Sequence, residues 1–112
     1  MSLPKIVGKR IRECRRKKNW TQEQLAEAAS LHNSYIGSVE RGDRNISLET
    51  LEKIALALDV PAGELVQSEE ALDKQRLLDE HLKLVSGRNA EEIALITKIT
   101  RDVIWGMEMK GN

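Results

Sequence analysis

The 112-residue sequence predicts an all-α protein, and three observations carry that reading. Its candidate core is aliphatic, because two Trp, one Tyr and no Phe leave Leu, Ile, Val and Ala to fill an interior. Such a composition suits short packed helices better than a β-sandwich, whose strands favour aromatic residues. Helix-start signals recur, Thr21 with Gln24 and Asn89 with Glu92, each pair three residues apart. Apolar residues return at three- and four-residue spacing after them, which is the helical period.

Taken in order, the first helix starts near Pro4, a good first-turn residue, and runs to about Lys18. Val7, Ile11 and Cys14 form its inner stripe, and basic residues surround the rest; Cys14 reads as a small core residue. Thr21 caps a second helix with Leu25, Ala28 and Ala29 inward. Ser30-Leu31-His32 breaks that pattern. A third helix, about Asn33–Arg41, places Ile36, Val39 and Glu40 on one side and Asn33, Ser34, Gly37, Ser38 and Arg41 on the other. Gly42 stops it, as a glycine past a helix C-terminus does. Two short helices joined by a three-residue turn have helix-turn-helix geometry, and the second can lie in a DNA major groove.

After a polar loop, Asp43–Ile46, Ser47 caps a fourth helix to about Leu58, with Leu48, Leu51, Ile54, Ala55 and Leu58 inward. Val60-Pro61 opens a short fifth helix that Leu65 closes onto the core. A longer helix then runs from Ser68-Glu69-Glu70 to about Val85, Ser86-Gly87-Arg88 turns, and a last helix spans about Ala90–Met109. Two segments follow from this, 1–67 and 68–112. The second holds more apolar surface than a lone helix pair can hide: Leu78 and Leu82, then Ile93, Ile96 and Ile99, then Val103, Ile104 and Met107. Association with a second copy of the chain is the preferred use of that surface. Folding back onto the first segment is the alternative.

Net charge is zero, but its placement is uneven. Residues 1–66 carry eleven Lys/Arg against nine Asp/Glu, and residues 67–112 carry seven against nine. Eight basic residues fall within the first twenty, and placement rather than total charge attracts a phosphate backbone. No run approaches the roughly 18 apolar residues that span a membrane, and the N-terminus lacks a signal-peptide core. One Cys rules out an internal disulfide, and the compartment reads as cytoplasmic. A Gly-rich phosphate loop, a metal-ligand cluster and a nucleophile–base spacing are all missing, so no enzyme, metal or cofactor is expected.

The run TQEQLAEAA…LHNSYIGSVERGDRNISLETLEKIALALDVPAGEL resembles the Cro/CI-type helix-turn-helix domain of phage repressors and bacterial regulators, the XRE family. The likeness spans about Ile6–Val66 and implies a five-helix lambda-repressor-like DNA-binding domain, here followed by a two-helix multimerisation hairpin. Where the family usually has Gly, this chain has Ser30, and a non-glycine in a left-handed turn costs roughly 1 kcal/mol.

By this resemblance Asn33, Ser34 and Ser38 match base-reading positions, and His32 stands at the N-cap, where it can cap, touch phosphate or reach a base. Gln22 matches a phosphate-binding glutamine at a helix N-terminus. Tyr35, Arg44 and Asn45, with Arg10 and Arg41, are further phosphate contacts. Arg15 and Glu40 match a structural ion pair tying the first helix to the recognition helix. Gly37 would let that helix approach a base closely. The function implied is a dimeric, sequence-specific bacterial regulator of double-stranded DNA, most often a repressor. Alternatives are a restriction–modification controller, or an antitoxin or adaptor whose C-terminal helices grip another protein.

Overall fold

The computed structural model describes residues 2–110, and among them there are seven helices and no strand. They are α1 (Leu3–Lys17), α2 (Gln22–Ala29), α3 (Asn33–Glu40), α4 (Leu48–Leu58), α5 (Ala62–Leu65), α6 (Glu69–Ser86) and α7 (Ala90–Lys110). The chain divides into two units, the first running through Asp73 and the second beginning at Lys74, within α6. None of these helices is long and apolar enough to cross a membrane.

Caps set where the helices begin. Thr21 and Gln24 form the reciprocal capping box: the Gln24 N–H donates to Thr21 Oγ1 at 3.1 Å, and the Thr21 N–H donates to Gln24 Oε1 at 2.8 Å. Ser47 accepts from the Thr50 N–H and starts α4. Their ends share one device. Asn19, Ser30, Gly42 and Asp59 are left-handed, with φ of 58°, 58°, 79° and 58°. Each follows a helix whose last carbonyls are taken by two backbone N–H groups in the Schellman pattern. After α2, for example, the Ser30 N–H reaches the Glu27 carbonyl and the Leu31 N–H reaches that of Ala26. Three of the residues that follow, Trp20, Leu31 and Val60, pack against the core, so each stop also turns an apolar side chain inward.

The core of the first unit is aliphatic, with Ile11, Leu25, Ile36, Val39, Ile54, Leu58 and Leu65 fully buried. Each such side chain contributes roughly 1.5–3 kcal/mol when taken out of water. Cys14 is buried among them. Two inward assignments are corrected. Ala26 takes the buried place in α2 and Ala28 is exposed, because α2 faces both α3 and α4. Leu48, 83% exposed, sits in the first turn of α4 on the rim of an open apolar groove with Leu3, Val7, Ile46 and Val66.

The second unit is built differently. Asn89 and Glu92 cap α7 reciprocally, and Arg88 pairs with Glu92, so that helix is well started. Neither α6 nor α7 buries a residue. Leu78, Leu82 and Val85 on α6, and Ile93, Ile96, Thr100, Val103 and Met107 on α7, follow the alternating three–four spacing of a coiled-coil seam. Thr100 can sit in such a seam at little cost, because its hydroxyl already donates to the Ile96 carbonyl at 2.8 Å.

Candidate nucleic-acid interface

The interface is organised by one buried carboxylate. Glu40, the last residue of α3, receives Arg15 of α1 bidentately, Nε to Oε2 at 2.7 Å and Nη2 to Oε1 at 3.0 Å. Arg15 also donates Nη1 to the Trp20 carbonyl at 2.7 Å, fastening the turn between α1 and α2. Gln22, opening α2, donates Nε2 to Glu40 Oε1 at 3.1 Å. The two parts of the helix-turn-helix and the helix before it therefore meet at a single side chain. A planar guanidinium on a carboxylate fixes direction as well as distance.

A second constraint is steric. Gly8 is buried where α1 crosses α3, and a Cβ there would stand 2.3 Å from the Val39 carbonyl oxygen and 2.8 Å from that of Glu40. The sequence reading missed this residue. Its available signal was a glycine inside a helical pattern, which costs about 1 kcal/mol against alanine and so asks for a packing reason. Gly37 is buried as well. A Cβ there would lie 3.3 Å from Gln22 Oε1 and 3.4 Å from Arg41 Nη1, so the missing side chain makes room for Gln22 to cross α3 toward Glu40. The position is covered by side-chain ends and is not open to a base.

On this scaffold the first turn of α3 is bare, with His32, Asn33 and Ser34 exposed. His32 is the N-cap residue but makes no side-chain capping bond. Tyr35 is half-buried, and the Arg44 guanidinium lies over its ring at 5.4 Å. Asn45 is exposed beside it, and exposed Arg41 pairs with Asp43 at 3.0 Å. Ser38 is covered, at 9% exposure; its hydroxyl donates to the Tyr35 carbonyl at 2.8 Å and accepts from Arg44 Nε at 3.2 Å.

Arg10 is a correction. At 4% exposure it pairs with Glu13 at 2.6 Å and donates to the Glu64 carbonyl at 3.2 Å and to Cys14 Sγ at 3.9 Å. Its guanidinium ties α1 to α5 and is not available to a phosphate. Beside it, burial pushes the Cys14 thiol pKa up, with the Arg10 charge opposing. In the second unit Leu78, Leu82, Ile99, Val103, Ile104 and Met107 are exposed, and Ile93 and Ile96 are partly covered.

Comparison with known proteins agrees with this geometry. The helix-turn-helix family profile matches residues 11–65. The chain is 40% identical over 75 residues to control protein C.SmaI of Serratia marcescens, covering 67% of this chain and 89% of that protein. The crystal structure of the hypothetical transcription factor NHTF from Neisseria superposes with a TM-score of 0.64 at 35% identity, over 66% of this chain and 85% of that one. The restriction–modification controller C.Esp1396I, crystallised as a tetramer with its natural 35-base-pair operator, superposes with a TM-score of 0.52 at 31% identity, over 60% and 99%.

Proposed function

The chain belongs to the XRE-type helix-turn-helix family of DNA-binding transcriptional regulators, and from that premise we propose that it is a repressor that binds a palindromic operator as a homodimer. The observation that carries the reading is the bare first turn of α3, standing on the Arg15–Glu40–Gln22 hub. Asn33 and Ser34 read base edges there, Asn by paired bonds to an adenine, and His32 adds a contact at the helix start. Gln22, Tyr35, Arg41, Arg44 and Asn45 hold the flanking phosphates, which fix register without reading sequence. Residues 1–67 form the DNA-binding segment. Residues 68–112 join two copies through the seam of α6 and α7, so that two half-sites are met about one helical turn apart. A regulator that works on DNA in this way acts in the cytoplasm.

Selection of duplexes from a random library by the full chain tests the reading, repeated with Asn33→Ala and with a chain ending at Gln67. A palindromic site should emerge. Asn33→Ala should relax one base-pair position, and the shortened chain should keep only weak, salt-sensitive binding. Failure of the full chain to select any site would overturn it. A second reading, a restriction–modification controller, is favoured by the extent of the match to C.SmaI. It predicts that the selected site lies upstream of a linked restriction gene and of the protein's own gene.

A further inference from the structure

We propose that Ser38 is a positioning residue for Arg44, holding that guanidinium ready to grip a DNA phosphate, and does not itself read a base. The inference rests on the DNA-binding reading of α3. A serine that reads a base must turn its hydroxyl outward. Here the Ser38 proton goes to the Tyr35 carbonyl, and a lone pair takes Arg44 Nε. With 9% of the residue exposed, little of it is left to meet a base edge.

Arg44 lies on the loop after α3, where a long exposed side chain would ordinarily sample many rotamers. Two contacts in different directions narrow that freedom. The Ser38 hydroxyl fixes Nε, and the Tyr35 ring lies under the guanidinium at 5.4 Å. No hydrogen-bond partner of Nη1 or Nη2 is found among the described residues. These are the two donors whose fork matches a phosphodiester's oxygens. Because Tyr35 and Ser38 both belong to α3, the phosphate grip is built from the recognition helix itself. The register of the backbone and the reading of bases are thereby set by one rigid element.

Two measurements test this. In the free protein, the Arg44 Nε–H should exchange slowly with water, and Ser38→Ala should make it fast. Exchange as rapid as in an unstructured peptide would overturn the pairing with no variant needed. The second is a titration of a duplex selected by the wild-type chain, and of an unrelated duplex of equal length, at several salt concentrations. Ser38→Ala should weaken both duplexes by the same factor, roughly five- to tenfold. It should also shrink the slope of log K against log salt by about one phosphate's worth. Arg44→Ala should do the same, and the double variant should be no weaker than Arg44→Ala alone. Ser38→Thr, which keeps the hydroxyl, should restore part of the loss. A changed preference at one base pair with an unchanged salt slope would make Ser38 a base reader. Losses that multiply in the double variant would also overturn the proposal. If Arg44→Ala weakens binding while Ser38→Ala does not, only the positioning role falls. If Asn33→Ala and Arg44→Ala both bind as wild type, the DNA face itself is misassigned and the proposal falls with it.

Discussion

The backbone of Gly8 passes so close to the Val39 carbonyl oxygen that a single added carbon would stand 2.3 Å from it. Both groups belong to helix backbones, so neither can swing aside. Gly8→Ala must push α1 away from α3, and the expected cost is about 3 kcal/mol, at the upper end of overpacking. Urea denaturation measures it. A stability within about 0.5 kcal/mol of wild type would show that the crossing relaxes freely.

The Arg15–Glu40 pair predicts an asymmetric cost. Glu40→Ala leaves the Arg15 charge buried with only the Trp20 carbonyl, and should destabilise the domain by about 3–5 kcal/mol. Replacing both residues with leucine should cost less than the two single losses added together, because no unpaired charge remains. A double-mutant cycle from denaturation midpoints decides it. Additive losses would mean that solvent already screens the pair.

These residues also show what could be read in advance. Helix starts were legible at Thr21, Ser47 and Asn89, because a cap is a local event between residues three apart. The Arg15–Glu40 pair came from the family resemblance, since twenty-five residues separate the partners and no periodicity joins them. Arg10 and Arg15 look alike in the sequence, two arginines in a basic helix, yet both are buried and tied to different neighbours. Exposure of a long cation depends on what the next helix places over it. The roles of Gly8 and Gly37 were hidden for the same reason: each answers to a neighbouring helix, and the local pattern gives only its own face. Ser38 was hidden differently, because its hydroxyl is taken by its own helix and by Arg44 folding back from the loop after α3.

Ser30 is held left-handed at φ 58°, a conformation that costs a non-glycine residue roughly 1–2 kcal/mol. The Ser30 side chain makes no hydrogen bond among those described that would offset this. Ser30→Gly should therefore stabilise the domain by about 1 kcal/mol, less some loss through the freer unfolded chain. The melting temperature should rise by about 4–8 °C. A lower melting temperature would mean that the unfolded-chain term dominates. DNA affinity should be unchanged, because the turn's backbone bonds are already made.

Burial keeps the Cys14 thiol protonated above the usual range, against the pull of Arg10. The unfolded chain thus gives up this proton first as pH rises. Stability from this group is complete below the ordinary thiol range and declines as pH climbs through it toward the folded value. Native protein at neutral pH should react with a thiol reagent only as fast as it opens, and denatured protein at once. Rapid labelling of the native chain would contradict the burial. Cys14→Ser should remove the alkaline decline.

Val103 lies on the exposed seam of α7, 54% open to solvent. Val103→Glu should turn the sedimenting species from dimer to monomer while leaving the melting of residues 3–65 unchanged. A wild-type chain that is monomeric at tens of micromolar would overturn the seam reading.

The absence of any buried residue along α6 and α7 has a consequence for control. Helices that bury nothing of their own must find cover elsewhere, and if another copy supplies it, pairing is governed by how many copies the cell holds. Below the pairing threshold, occupancy of a two-half-site operator would climb as roughly the square of the chain's abundance. A modest change in synthesis or decay would then become a steep change in output. The seam that looks like unfinished packing would act as the molecule's dosage sensor.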